Sequence, residues 1–283
     1  MAERIIPHNP MHEGMVDLRV NIVYSTQAGE KLALQMLKPR WSSGGEGFPL
    51  VVFIQGSAWQ KPDQFWQLPQ LNLLARQGFV IASVTHRSCW DAAAPAFLQD
   101  VKTALRYLRA HASEYDIDKS RVCAWGTSSG GNTALLLGLT GDDPAYETEE
   151  WAGESTAVQA VVDCFGPTDL VTRFEKLPEE LRYSDKNLFF ALGGRNPDTC
   201  RDVLKEISPL HRVRPGEKLP PFLILHGDAD DMVDYAQSEA MVQRLTECGY
   251  AADIVRVTNA PHEDSFWSMP LLEMIFAFIR AHL

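Results

Sequence analysis

The sequence has no C-x-x-C pair: its five cysteines, Cys89, Cys123, Cys164, Cys200 and Cys248, are an odd number and lie far apart. That spacing argues against a disulfide framework and against a zinc site, so reduced, buried thiols and no metal are expected. Runs of Lys and Arg are also missing. With 37 acidic against 26 basic residues the formal net charge is -11, and no basic stretch offsets it locally, which disfavours nucleic acid as a partner. The longest apolar stretches, such as Leu50 to Ile54, fall far short of the roughly 18 residues that a spanning helix needs. The N-terminal stretch MAERIIPHNPMHEG contains no apolar core of the secretory kind. From these features we expect a cytoplasmic protein with neither membrane nor nucleic-acid partners; association into a homo-oligomer stays open. The glycine cluster SSGGEG at Ser42 to Gly47 leads into a strand, so it lacks the helix N-terminus of a phosphate cradle.

What is there is an alternation of short apolar runs and longer helical patterns, without an internal repeat. Val20 to Tyr24, Leu32 to Leu37, Leu50 to Ile54, Phe79 to Val84, Val122 to Trp125, Val158 to Phe165, Phe222 to Leu225 and Ala252 to Val257 read as strands. Between them lie helical patterns around Pro69 to Gln77, through Leu139, from Tyr235 to Cys248 and from Phe266 to His282. A clear amphipathic helix puts Phe97, Val101, Ala104, Leu105 and Leu108 on one face. Continuous apolar strands separated by helices imply parallel strands buried on both faces, an α/β class with a mostly parallel sheet. From Gly166 to about Gly216 the rhythm breaks, with one short helix expected at Pro197 to Ile207. One domain over residues 1–283, carrying a cap-like insertion at about 166–216, is the expected organisation.

Gly126, Thr127, Ser128, Ser129 and Gly130 fit G-x-S-x-G, with a strand entering and a helix leaving. Such a sharp turn brings backbones close together, hence its small residues, and it lifts the serine hydroxyl above the sheet. An alkyl hydroxyl is a weak nucleophile at neutral pH, so Ser128 requires a base and a group that orients the base. His262, in the polar loop NAPHEDSFW after the last strand, is the preferred base; His86 and His226 sit at strand ends and read as loop-orienting. Asp230, in H-G-x-x-D, is the preferred acid, with Asp228 and Asp231 as runners-up. Asp234, with Gln237 three residues on, reads as a helix N-cap. A calcium loop through Asp228, Asp230, Asp234 and Glu239 is disfavoured, because Met232 and Val233 occupy places that need an oxygen ligand and a glycine. Oxyanion donors are expected from the backbone N–H of Ser129 and from the turn QGSAW, with Ser57 preferred over Ala58.

In combination, GTSSGG, FGPTDL, SPLHRV, PPFLILHGDADDMV and APH resemble an α/β-hydrolase-fold serine esterase, of the branch with acetylesterases, hemicellulose esterases and hormone-sensitive-lipase-like enzymes. The resemblance runs from about Tyr24 onward, and the order serine, acid, histidine is met by Ser128, Asp230 and His262. One departure stands out: relatives usually read H-G-G here, and this chain reads Gln55, Gly56, Ser57. The resemblance implies a carboxylesterase acting through an acyl-enzyme, without metal or organic cofactor. It also implies a small-molecule or oligosaccharide substrate, with short acyl groups, acetyl or feruloyl, on plant polysaccharide fragments. Trp59, Trp66 and Trp267 are candidates for lining the substrate pocket, each set against a plain packing role. A small amidase, formamidase or peptidase on the same fold, and a catalytically silent binding protein, are the competing readings.

Overall fold

The computed structural model of the protein describes residues 3–26 and 28–283; Met1 and Ala2 of the N-terminal stretch, and Gln27, lie outside the described residues. Eight strands make one sheet: β1 (Val16–Ser25), β2 (Leu32–Pro39), β3 (Phe48–Ile54), β4 (Val80–Val84), β5 (Ile117–Thr127), β6 (Ala160–Cys164), β7 (Phe222–Gly227) and β8 (Ala252–Val257). Their spatial order is β1-β2-β4-β3-β5-β6-β7-β8. β2 runs antiparallel to both of its neighbours, and every other pairing is parallel.

Strand side chains alternate between two apolar layers. Leu50, Val52 and Ile54 of β3 join one buried cluster, Val51 and Phe53 the other. A strand covered on both faces has no polar side to show, which is why its sequence reads as an unbroken apolar run. α1 (Leu68–Ala75) lies against the second layer; α2 (Ala96–Ala110), the short α3 (Ala112–Tyr115) and α4 (Ser129–Thr140) lie against the first. The sheet and its two helical layers have the α/β-hydrolase fold. Among the described residues no helix is long and apolar enough to cross a membrane.

The stretch between β6 and β7 is more helical than the sequence pattern predicts. It holds α5 (Leu170–Glu175), α6 (Glu179–Arg182), α7 (Leu188–Leu192), α8 (Cys200–Glu206) and α9 (Pro209–Arg212). Such short helices carry little periodicity, and α5 and α7 start at side-chain caps. Asp169 accepts from the N–H groups of Val171 and Thr172, and Asn187 from that of Phe189.

Two helix starts also differ from expectation. α10 (Ala236–Glu247) has no capping box, because the Gln237 amide oxygen accepts from the N–H groups of Thr168 and Asp169 and so ties the helix to the inserted segment. α11 (Met269–His282) begins after Ser268, whose hydroxyl accepts from the Leu271 N–H, while Phe266 belongs to a separate single turn. α10 covers the first layer, and α11 covers the second through Leu271, Leu272, Ile275, Phe276 and Ile279.

Candidate active site

Ser128 follows β5, the Gln55 to Trp59 turn follows β3, Asp230 follows β7 and His262 follows β8. These four strands are parallel, so all four segments leave the same edge of the sheet, where ligand sites of open α/β sheets collect.

Close approach fixes the serine turn. A Cβ on Gly126 would strike the Gly130 carbonyl, and one on Gly130 would strike the carbonyl of Ile54 at the end of β3. Ser128 itself adopts φ 50° and ψ -124°, a conformation that costs a non-glycine residue of order 1–3 kcal/mol. The Ser128 N–H donates to the Cys164 carbonyl at 2.9 Å, and the Asn132 N–H donates to the Ser128 carbonyl at 3.1 Å. Held by these bonds, the hydroxyl stands at the N-terminus of α4.

Ser128 Oγ and His262 Nε2 are 2.9 Å apart, and His262 Nδ1 lies 2.7 Å from Asp230 Oδ2. A carboxylate can only accept, so Nδ1 carries a proton; in the neutral ring Nε2 is then free to accept from the serine hydroxyl. Phe165 packs edge-on against the His262 ring, with centroids 4.7 Å apart.

Asp230 is the most heavily bonded carboxylate of the site. Its Oδ1 accepts from the N–H groups of Met232 and Val233, both at 2.8 Å, and its Oδ2 accepts from His226 Nε2 at 3.1 Å as well as from His262. Burial works to raise its pKa, yet the bonds from His226, His262 and Val233 together hold it well below the usual carboxylate range. His226 is fully buried: Nδ1 faces the Ser238 hydroxyl at 2.7 Å, while Nε2 also meets the Val233 carbonyl at 2.8 Å. Asp228 is instead taken by Arg256 and the Asn259 N–H, Asp231 is exposed, and Asp234 accepts from the Ala236 N–H. Among the described residues, no group of three or more His, Cys, Asp or Glu side chains is placed to hold a metal ion.

The turn after β3 is braced from the serine side. Thr127 Oγ1 accepts from the Gly56 N–H at 2.8 Å, and Ser129 Oγ accepts from the Ser57 N–H at 2.9 Å. Thus the N–H expected first as an oxyanion donor is engaged by the residue beside the nucleophile, while Ala58, at φ 51°, lines the cavity. Gln55 makes only long contacts, at 3.4 Å each, to Thr127 Oγ1 and Glu263 Oε1. Thr127 and Ser129 therefore do the bracing at this turn.

A cavity of about 160 Å³ opens over Ser128, walled by Ala58, Trp59, Arg173, Phe189, Met232 and His262 among others. Of the three tryptophans considered for substrate binding, Trp59 is in that wall. Trp66 is 64% exposed and is not, and Trp267 packs against Trp125, Phe165 and Phe266 with its indole N–H donated to Glu263. Arg173 and Phe189 enter from the inserted helices, where no motif marked them. His226 carried a readable signal, since H-G-x-x-D puts it four residues before the carboxylate it contacts.

The sequence matches the BD-FAE family over residues 34–245. It is 34% identical, over 70% of this chain and 48% of the relative, to Esterase LipC of Mycobacterium tuberculosis. Among solved structures, a truncated form of a carbohydrate esterase from gut microbiota superposes with a TM-score of 0.80 at 24% identity, covering 97% of this chain and 99% of that one. A bifunctional GH43-CE from Bacteroides eggerthii gives 0.81 at 29% identity, covering 94% of this chain and 38% of that one. The chain spans about half the length of the curated relatives it matches. With the family match running across most of the strands that carry the site, this chain belongs to the BD-FAE family.

Proposed function

We propose that the chain is a serine carboxylesterase in which Ser128 is the nucleophile, His262 the general base and Asp230 the group that orients it. The observation that carries the reading is the continuous hydrogen-bonded line from Ser128 Oγ through His262 to Asp230. The names of the relatives, an esterase and a carbohydrate esterase, support it.

In this reading Ser128 Oγ bonds to the ester carbonyl carbon as its proton passes to His262 Nε2. The resulting imidazolium is stabilised by Asp230, whose low pKa keeps it anionic. The backbone N–H groups of Ser129 and Ala58 face the developing oxyanion. Collapse breaks the bond to the leaving alcohol, which takes the proton from His262, and a water deprotonated by the same ring then releases the acid.

Cavity size supports short acyl groups. At about 160 Å³ the cavity is small, which favours acetyl to butyryl groups over long chains. An adjoining groove of about 260 Å³ on the inserted helices shares Leu188 with the cavity and gives the alcohol part room to extend. We place acetylated carbohydrate fragments first among substrates; a feruloyl group is larger than the cavity and would have to extend into the adjoining groove. The test compares initial rates on p-nitrophenyl acetate for the wild type and Ser128→Ala. Turnover by the wild type and background rates for the variant support the reading; equal rates overturn it.

A further inference from the structure

Building on the esterase reading, we infer that the natural ester carries a carboxylate, which Arg173 binds inside the active-site cavity. Arg173 reaches the cavity from α5 and, among the described residues, is the only Lys or Arg side chain in its wall, which it shares with Ser128, Ser129 and His262. One guanidinium nitrogen, Nη2, is anchored at 2.9 Å by the Met232 carbonyl, in the loop that also carries Asp230. Nε is buried and has no hydrogen-bond partner, and the guanidinium lies 5.9 Å from the centre of the Phe189 ring, which lines the same cavity.

The acids nearby are already engaged. Asp230 and Asp234 are close enough to act on Arg173 electrostatically, but Asp230 spends both oxygens on four N–H groups, and Asp234 pairs with Lys176 at 3.9 Å. Burial accordingly lowers the Arg173 pKa, the mark of a cation held partly out of water without a bonded carboxylate. Two structural arginines of this chain have their forks filled, Arg87 by Asp100 at 2.8 Å and the buried Arg109 by the carbonyls of Lys119, Ser155 and Ala157, whereas Arg173 makes one bond only among the described residues. Nη1 makes no hydrogen bond and is not among the buried, unpartnered atoms, so its N–H groups can meet a carboxylate oxygen in the cavity, a charge-assisted bond. Because the chain as a whole carries a charge of -11, its general field repels an anionic ester, so a preference for one has to come from a local cation.

The carboxylate can sit on either side of the scissile bond, and paired substrates separate the two cases. On the acyl side, mono-p-nitrophenyl succinate is compared with p-nitrophenyl butyrate; on the alcohol side, 4-acetoxybenzoate is compared with phenyl acetate. Wild type, Arg173→Met and Arg173→Gln are assayed for kcat/KM. Gln keeps an amide N–H for the Met232 carbonyl, and it carries the test if the Met variant does not fold. For one of the two pairs, loss of the charged hydrogen bond should lower the ratio of carboxylated to neutral ester by about tenfold or more, with the neutral rate changing far less. Unchanged ratios in both pairs, with neutral esters still hydrolysed, overturn the role of Arg173 and leave the esterase reading standing. No turnover of any of the four esters by the wild type overturns both.

Discussion

Gly56→Ala tests whether the distance between the nucleophile and the oxyanion turn is set by backbone contact. Gly56 has no left-handed φ, so alanine meets no conformational penalty there and the effect is steric. Its added Cβ would lie 2.7 Å from Ser128 Cβ and 2.9 Å from the Thr127 carbonyl oxygen, where ordinary contact begins at 3.4 Å. Relief requires the turn and the serine to separate by about 0.7 Å, the difference between 3.4 and 2.7 Å. Since a 1 Å misplacement at a reacting centre costs about a hundredfold, a loss of between tenfold and a hundredfold in kcat is expected, about 1.4–2.7 kcal/mol. Overpacking of this kind also costs roughly 1–3 kcal/mol of stability, visible as a lower urea midpoint. The assay is p-nitrophenyl acetate hydrolysis at saturating substrate, beside a urea unfolding curve. A variant with kcat within threefold of wild type and an unchanged midpoint would refute the claim that this spacing is rigid.

Two further perturbations probe the acids beneath the site. Asp163 is fully buried, with Oδ1 accepting from the Gly166 N–H and Oδ2 without a partner, and burial pushes its pKa up to about 7 against the pull of His226 and that N–H. The folded state therefore holds a proton that the unfolded chain gives up near pH 4, so stability falls as pH rises from about 4 to about 7 and levels off above. About three pKa units correspond to about 4 kcal/mol, so the stability of Asp163→Asn relative to wild type should climb across that window by an amount of this order, read from urea curves at each pH; a flat difference contradicts the assignment. His226→Phe removes one donor from Asp230 and leaves Ser238 Oγ and the Val233 carbonyl unpaired, so a stability loss of about 1–3 kcal/mol is expected. With one donor fewer on Asp230 Oδ2, the carboxylate holds His262 less firmly, so kcat/KM for p-nitrophenyl acetate should fall by about tenfold or more; an unchanged kcat/KM shows that His226 does not act through Asp230.

The sheet was legible because its central strands are buried on both faces and so leave unbroken apolar runs. Where a strand runs out to solvent, the reading stopped short. β5 starts at Ile117, although Asp118 to Arg121 are polar, and β1 starts at Val16, although its outer residues are mostly exposed. The serine turn was legible because close backbone approach demands glycine at fixed offsets. Asp234 was set apart by Gln237 three residues on, and H-G-x-x-D ranked Asp230 above Asp228 and Asp231, but only the fold shows which carboxylate turns inward. The cavity wall was the least readable part. Trp59 and Trp267 both sit in loops of similar composition, and only tertiary packing sends one to the cavity and the other into the Trp125 layer. Arg173 lies on a helix of six residues, too short to show a face.

The claim at the centre of this account is that Ser128 is the activated nucleophile, and active-site labelling tests it most directly. The protein is incubated with diethyl p-nitrophenyl phosphate, whose phosphorus is attacked with loss of p-nitrophenolate, and is then analysed by intact mass and peptide mapping. The account predicts one diethylphosphoryl group per chain, located on Ser128 and lost in both His262→Ala and Ser128→Ala. Labelling of another residue, or a folded wild-type chain that takes up no label, would contradict it.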